Sequence, residues 1–267
     1  MPSATLIGVP YDAKSSYARG PALAPDAIRA ALWSQSGNRF SEGLIEVLSP
    51  DHLGDYGNIA IESEDYPLLA IENAVSLVLN RSSIPLVLGG DHSITYGVVR
   101  TVARAVQPFT ILHLDAHNDL HDSFAGDRLS HASPFARIME ERLTARLVQV
   151  GIRCLTPNQR DQANRFAVQM IDMTSWTAGR RPEIEGPCYL SLDMDVLDPA
   201  FAPGLSHREP GGLSPRDVIG LIQSIPGPLV AADIVELNPV RDWDGITALV
   251  AARFVKEVVS RIASSAR

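Results

Sequence analysis

The chain has little cysteine, no long apolar run and a deficit of basic residues. Its 267 residues include two cysteines, Cys154 and Cys188, which are too few for a disulfide scaffold. No run approaches the 18 apolar residues that suggest a membrane-spanning helix. Lys and Arg number 23 against 31 for Asp and Glu, so the net charge is −8. This acidic balance disfavours nucleic acid and anionic membrane surfaces and suits cationic substrates better.

The N-terminal segment lacks the basic stretch and the long apolar stretch of a signal peptide. With so few cysteines, this predicts a protein of a reducing compartment, and we expect a cytoplasmic one. Hydrophobic residues make up 45% of the chain, which is enough to bury a sizeable core. Both cysteines adjoin apolar runs, so we expect them to be core residues rather than nucleophiles.

Short apolar runs alternate along the chain with helical patterns. The predicted strands cover residues 5–9, 44–48, 84–88, 109–114, 147–150, 167–171, 188–192 and 229–235. The predicted helices cover residues 25–32, 67–80, 94–106, 134–143, 157–166, 214–223 and 245–264. Several strand runs are continuously apolar, which is typical of strands buried on both faces. The order predicts one α/β domain over residues 1–267, a three-layer αβα fold with a mostly parallel central sheet.

Acidic and imidazole side chains follow four of the predicted strands. They occur in residues 89–93 (GGDHS), 115–119 (DAHND), 193–195 (DMD) and 236–239 (ELNP). In a parallel sheet, ligands bind outside the carboxyl ends of the strands. Carboxylates gathered at one edge repel one another and resist ionisation. A bound cation removes that conflict, so this edge is the predicted site.

Two imidazoles and four carboxylates are the best candidate metal ligands: His92, Asp115, His117, Asp119, Asp193 and Asp195. Two divalent ions would balance the charge of the four carboxylates, and a hydroxide bridging them would supply a nucleophile at neutral pH. Oxygen-rich ligation favours Mn²⁺ or a similar hard ion over structural zinc. His113 lies inside a strand, where a core histidine with satisfied hydrogen bonds is favoured over a further ligand.

These motifs, in this order, resemble those of the ureohydrolases, the family of arginases, agmatinases and related amidinohydrolases. The resemblance runs almost end to end. It begins at residues 8–11 (GVPY) and 19–29 (RGPALAPDAIR), includes the strand-end motifs and residues 191–199 (SLDMDVLDP), and ends at residues 236–239. It implies an arginase-like fold and two Mn²⁺ ions per subunit. It also implies hydrolysis of a guanidino C–N bond to urea plus an amine, in a homo-oligomer, trimer or hexamer.

The resemblance also implies roles for single residues. Asp115 and Asp193 would bridge the two ions, with His92 and Asp119 completing one ion and His117 and Asp195 the other. Glu236 would hold the guanidinium group, whose paired donors suit a carboxylate. His131, in residues 129–135 (LSHASPF), matches a loop histidine that moves protons or positions substrate. Asp119 would pass a proton to the leaving nitrogen.

Two loops depart from the agmatinase and arginase patterns. Residues 203–212 (PGLSHREPGG) place His207 and Arg208 where small neutral residues are usual, and His121 follows the aspartate-rich motif. We expect these three residues to be candidates for substrate binding, Arg208 for a substrate carboxylate.

The predicted function is hydrolysis of an agmatine-like compound or guanidino acid. One alternative is a formimidoyl amino acid hydrolase that releases formamide. The other is a non-catalytic paralogue that keeps the fold.

Overall fold

The computed structural model describes residues 1–265 and contains an eight-stranded sheet. Its strands are β1 (Ala4–Gly8), β2 (Leu53–Asn58), β3 (Ile84–Leu88), β4 (Thr110–Leu114), β5 (Arg146–Ile152), β6 (Gln169–Asp172), β7 (Cys188–Asp193) and β8 (Leu229–Val235). The spatial order is β2-β1-β3-β8-β7-β4-β5-β6, and every neighbouring pair is parallel. The predicted α/β fold with a parallel central sheet is confirmed.

Helices cover both faces of the sheet. They are α1 (Ala24–Leu32), α2 (Leu68–Asn80), α3 (Ile94–Ala105), α4 (Pro134–Glu140), α5 (Pro157–Arg165), α6 (Met173–Thr177), α7 (Pro215–Ser224) and α8 (Ile246–Ser265). One apolar cluster joins the sheet to α1, α7 and α8, and a second joins it to α2, α3, α4 and α5. Within residues 1–265, the structure has no helix with the length and apolar character to cross a membrane.

Strand side chains alternate between the two clusters. In β3, Leu86 and Leu88 pack in the cluster of α1, α7 and α8, whereas Val87 packs in the other cluster. Successive strand side chains point to opposite faces, so both faces are apolar only because helices cover both. This arrangement explains the continuous apolar runs of the sequence.

The strand predicted at residues 44–48 is wrong. Leu44 is 82% exposed and has a φ of 59°, a left-handed conformation that a strand does not allow. The second strand is instead β2, whose sequence LGDYGN carries no apolar run. It lies at the edge of the sheet and pairs only with β1, so little of it is buried. The short helix α6 was not predicted from the sequence. Asp172 caps its N-terminus by accepting a hydrogen bond from Ser175 N–H.

The sheet order places four strand ends side by side. Strands β3, β8, β7 and β4 are consecutive in the sheet, although they are far apart in the chain. Their carboxyl ends carry the four polar motifs found in the sequence. The chain crosses from one half of the sheet to the other between β3 and β4, and ligands bind at such a switch point.

Candidate active site

His92 is positioned by a tight glycine turn after β3. Gly90 N–H donates to Val9 O at 3.1 Å, and Asp91 N–H donates to Tyr11 O at 2.8 Å. A Cβ on Gly90 would lie 1.7 Å from Tyr11 O, so any other residue would push the two segments apart. The turn brings His92, which is fully buried, to the carboxyl edge just before α3.

The β4 and β7 loops are joined by hydrogen bonds between backbone and carboxylates. Asp115 Oδ1 accepts from His117 N–H at 2.6 Å, and Asp193 Oδ1 accepts from Asp195 N–H at 2.7 Å. Asp195 Oδ1 accepts from Ala116 N–H at 3.0 Å, which links the two loops. One oxygen of each carboxylate is therefore held by a backbone N–H, and the second oxygens of Asp193 and Asp195 face the imidazoles of His92 and His117.

The remaining atoms converge around His92 and His117. His92 Nδ1 lies 3.2 Å from Asp115 Oδ2, 3.1 Å from Asp119 Oδ2 and 3.1 Å from Asp193 Oδ2. Although buried, this nitrogen has no hydrogen-bond partner. His117 Nδ1 lies 3.0 Å from Asp195 Oδ2 and 3.4 Å from Asp115 Oδ1. An unpartnered nitrogen facing three carboxylate oxygens is an arrangement that a cation satisfies.

The electrostatics of the cluster also favour a cation. Burial, together with the charges of Asp195 and Asp115, raises the pKa of Asp193 well above its ordinary value. Burial and the charge of Asp115 also raise the pKa of Asp195. For Asp115, burial acts in the same direction, but the neighbouring His113, His117 and His92 hold its pKa well below the usual range. Buried carboxylates that resist ionisation become stable anions when a metal binds. The residues present therefore fit divalent cations.

Asp115 is bonded to the buried side chain of His113, which is itself held by the buried side chain of Gln149. His113 Nε2 lies 2.8 Å from Asp115 Oδ2, and His113 Nδ1 lies 2.9 Å from Gln149 Nε2. Gln149 Nε2 also donates to the carbonyl of Asn118 at 2.7 Å, so it is an amide donor and His113 Nδ1 accepts from it. His113 then carries its proton on Nε2 and donates it to Asp115. This agrees with the prediction that His113 is a core histidine with satisfied hydrogen bonds.

Glu236 and His131 form a pair beside the metal-ligand candidates. Glu236 follows β8 with a φ of 64°, and its Oε1 accepts from His92 N–H at 2.9 Å. His131 Nδ1 lies 3.1 Å from the same oxygen, and its Nε2 lies 2.8 Å from Ser16 Oγ. Burial lowers the pKa of His131, but the hydrogen bond and charge of Glu236 outweigh it and raise the pKa to about 9.

A cavity of about 220 Å³ connects these groups to the surface. Its lining residues are Ser16, His117, Asp119, His121, Phe124, His131, Ala132, Gln159, Asp193, Asp195, His207 and Glu236. Sequence reasoning did not single out Ser16, Phe124 or Gln159. Ser16 and Phe124 lie in loops without a motif, and Gln159 belongs to the first turn of α5. The cavity is the size of a small molecule and opens over the carboxylate cluster.

The two unusual loops contribute His207 and His121 to the cavity wall. The His207 ring stacks on His131 with centroids 5.5 Å apart, and its Nε2 lies 3.5 Å from Ser16 Oγ. The His121 ring lies edge-on to Phe124. Burial lowers the pKa of both His207 and His121, which favours their neutral forms. Neither ring therefore adds a fixed positive charge to the cavity.

Arg208 and Cys154 are placed differently from what the sequence suggested. Arg208 is exposed and absent from the cavity lining, and it donates to Pro203 O at 2.8 Å and Arg241 O at 3.1 Å. Its charge is turned toward backbone carbonyls of its own loop and of the segment that follows β8. Cys154 is half-buried rather than in the core, and its sulfur, His117 and Glu209 place ligand atoms within 4.8 Å of one another. Cys188 is fully buried in the apolar core, as predicted.

The chain is similar in sequence and in structure to known proteins. The model of the arginase family matches residues 2–260. "Arginase 1, mitochondrial" of Oryza sativa subsp. indica is 45% identical over 278 residues, covering 97% of this chain and 82% of that protein. The solved arginase of Medicago truncatula matches with a TM-score of 0.93 and 42% identity, over 97% of this chain and 88% of that one. Formimidoylglutamase of Bacillus subtilis subsp. subtilis str. 168 matches with a TM-score of 0.89 and 27% identity, over 99% and 88%.

Proposed function

Since the chain belongs to the arginase family, we propose that it is a manganese-dependent ureohydrolase that converts a small guanidino compound to urea and an amine. The observation that carries this proposal is the meeting of two groups of residues at one cavity. Asp119, Asp193 and Asp195 line it as part of the carboxylate cluster, and Glu236 and His131 line it as an acid–imidazole pair. The first group suits cations, and the second suits a guanidinium ion and a proton transfer.

Two ions per subunit are supported by the position of Asp115. Its Oδ2 lies 3.2 Å from His92 Nδ1 and its Oδ1 lies 3.4 Å from His117 Nδ1, so one carboxylate reaches both imidazoles. In this proposal His92 and Asp119 would hold one ion and His117 and Asp195 the other, with Asp115 and Asp193 supplying further carboxylate ligands. Bound divalent cations supply Lewis acidity and activate water at neutral pH. Carboxylate and imidazole ligands suit Mn²⁺ among such cations.

Glu236 and His131 have separate tasks. The carboxylate of Glu236 binds the guanidinium of the substrate by charge-assisted hydrogen bonds. This contact orients the guanidinium carbon toward the carboxylate cluster. His131, whose pKa is raised to about 9, is protonated at neutral pH. In that form Nδ1 donates to Glu236, while Nε2 lies beside Ser16 Oγ at the cavity. Once Nε2 has given up its proton, it accepts from Ser16 N–H, which lies 3.3 Å away. The departing nitrogen must gain one proton to leave, which Asp119 would pass on from the attacking water, and His131 would supply the second proton, which makes the product amine an ammonium ion.

The charges of the cavity wall restrict the substrate's tail. Among the described residues that line it, the only basic side chains are histidines, and no Lys or Arg is present. Arg208, the predicted partner for a substrate carboxylate, is bonded to backbone carbonyls outside the cavity. A guanidine whose tail carries an amine, as agmatine and L-arginine do, therefore fits better than one whose tail carries a carboxylate alone. We propose L-arginine or agmatine, and the likeness to a rice protein named arginase supports the former.

The decisive assay measures urea release after Mn²⁺ loading. The substrates are L-arginine, agmatine, guanidinobutyrate and guanidinopropionate, and formiminoglutamate is followed by formamide release. Glu236→Gln is the matched control, because it removes one charge and keeps the shape of the side chain. We expect urea from L-arginine or agmatine and at least a tenfold loss in the variant. Formamide without urea would support the formimidoyl alternative. Two bound metals with no turnover on any compound would indicate a non-catalytic paralogue.

A homo-oligomer, trimer or hexamer, is also part of this proposal. Four apolar side chains near the start of α8 are more than 40% exposed: Val240, Trp243, Ile246 and Leu249. Exposed apolar clusters of this kind are typical of subunit contacts. Light scattering on the purified protein gives the subunit number directly, and a monomer at micromolar concentration would contradict this part of the proposal.

A further inference from the structure

The far side of the His92 ring is held by a hydrogen-bonded chain that ends at a buried carboxylate. His92 Nε2 lies 3.0 Å from Ser191 Oγ, and Ser191 Oγ lies 2.7 Å from Asp233 Oδ1. All three side chains are fully buried. Ser191 in β7 and Asp233 in β8 are direct partners in the register of the two strands, so the sheet itself fixes their approach. Neither residue lines the cavity.

The proton positions along this chain follow from its last member. Asp233 also accepts from Thr95 Oγ1 at 2.9 Å and from the Tyr189 hydroxyl. Its two oxygens thus receive three hydroxyl donors, which is the environment of an ionised carboxylate. Burial and the charge of Asp233 raise the pKa of Tyr189 well above its ordinary value, so the Tyr189 hydroxyl keeps its proton and donates it to Asp233.

Ser191 has one hydroxyl proton, and it donates this proton in its hydrogen bond to Asp233. Ser191 Oγ must therefore accept at its other contact, and the donor there is His92 Nε2–H. A neutral histidine with its proton on Nε2 has a lone pair on Nδ1. Nδ1 is the atom that faces Asp115, Asp119 and Asp193 without a hydrogen bond. In the opposite tautomer, Ser191 would turn its proton to His92 and leave Asp233 with an unpaired buried lone pair.

We propose that Asp233, acting through Ser191, is a positioning residue that fixes His92 with its proton on Nε2 and so prepares Nδ1 to bind a metal ion. The inference rests on the metal centre of the proposed function. The hydrogen-bonded chain from Asp233 through Ser191 ends at His92. His117, the second imidazole of the cluster, contacts carboxylates and the loop of Cys154 instead. The effect should therefore fall on one of the two ions. Partners behind a metal-binding histidine typically change affinity about 10–100-fold.

The test compares Ser191→Ala and Asp233→Asn with Thr95→Val. The last variant removes a hydroxyl from the same carboxylate but leaves the chain to His92 intact, so it is the matched control. Proton and nitrogen-15 NMR of the histidine side chains in the metal-free protein reports whether the proton on His92 Nε2 is held in a hydrogen bond, and this readout does not depend on the state of Nδ1. Comparison with His92→Gln assigns the signal. Titration calorimetry with Mn²⁺ then measures the affinity of each ion, and both measurements are independent of substrate and turnover.

We expect the wild type and Thr95→Val to show a hydrogen-bonded, slowly exchanging proton on His92 Nε2. Ser191→Ala and Asp233→Asn should lose that protection and bind one ion at least tenfold more weakly, with the other ion unchanged. If the signal of His92 and both affinities stay at wild-type values in these two variants, the proposal is overturned. Equal weakening of both ions in all three variants would also overturn it, because that pattern indicates general damage. A wild type that binds Mn²⁺ but hydrolyses nothing would refute the proposed function and leave this inference standing.

Discussion

The imidazole of His131 lies against the carboxylate of Glu236, with the histidine Nδ1 3.1 Å from the glutamate Oε1. The two residues are 105 positions apart in the chain and belong to a loop before α4 and to the end of β8. Their pairing shifts the pKa values of the two groups in opposite directions. The pKa of His131 is raised to about 9 against its burial, and that of Glu236 is lowered against its burial. The pair is therefore charged at neutral pH.

Replacing Glu236 by Gln should lower the pKa of His131. Because the folded pKa of His131 is raised, the pair stabilises the fold fully below pH about 6.5, the ordinary histidine value, and this stability is lost as the pH rises through about 9. Without that carboxylate, burial lowers the pKa of His131 and only the charges of Asp119 and Asp91 still raise it. NMR titration of the metal-free protein measures this directly. Glu62→Gln, an exposed control, should leave His131 unchanged. An unaltered titration in Glu236→Gln would show that the carboxylate does not raise this pKa.

Asp193→Asn should separate metal binding from folding. The raised pKa of Asp193 means that the metal-free fold favours its protonated form, so stability falls as the pH rises above the ordinary carboxyl range. The amide removes that cost. At pH 7.5 we expect the metal-free variant to unfold at or above the wild-type temperature, whereas Mn²⁺ should raise the melting temperature of the wild type only.

Asp161→Asn on the exposed surface of α5 is the control for this experiment. It should behave as the wild type with and without Mn²⁺. A saturating ion stabilises by about 2.7 kcal/mol at a hundredfold excess over its Kd, which calorimetric melting resolves readily. Equal stabilisation of Asp193→Asn and the wild type by Mn²⁺ would place the metal elsewhere.

The sequence reveals the candidate ligands because each follows directly after an apolar strand. His92, Asp115 and Asp193 are found in this way without any knowledge of which strands are neighbours. Ser191 and Asp233 are different, since they lie inside β7 and β8. A polar residue within an apolar run is a visible signal, but its partner depends on strand order and register. Local sequence does not determine either.

The direction of neighbouring side chains in a loop could not be predicted from the sequence either. His207 and Arg208 are adjacent, and both were predicted to face the substrate. The path of the backbone turns His207 into the cavity and Arg208 toward the carbonyls of Pro203 and Arg241. Likewise, the polar edge strand β2 could not be found from apolar periodicity, because one side of it has no neighbour in the sheet.

The two cysteines should react very differently with iodoacetamide. Cys188 is fully buried, and burial raises its pKa to about 12, so it carries almost no thiolate at pH 8. Cys154 is half-buried and lies beside His117. We expect a single modified thiol by mass spectrometry, at Cys154, and a loss of activity as the adduct crowds His117. Cys154→Ser should keep its activity and resist the reagent. Inactivation of this variant at the wild-type rate would contradict the assignment.

His207→Ala and Arg208→Ala test whether the loop reads the substrate through one residue or both. His207 lines the cavity and stacks on His131, and the loss of a substrate contact worth about 0.5–1.5 kcal/mol would raise KM about 2–10-fold. Arg208 makes hydrogen bonds outside the cavity, so its loss should cost about 1 kcal/mol of stability and leave KM unchanged. Steady-state kinetics with L-arginine, agmatine and guanidinobutyrate on both variants measures the difference. If Arg208→Ala raises KM for guanidinobutyrate far more than for agmatine, the guanidinium must swing into the cavity. A substrate carboxylate would then be its partner after all.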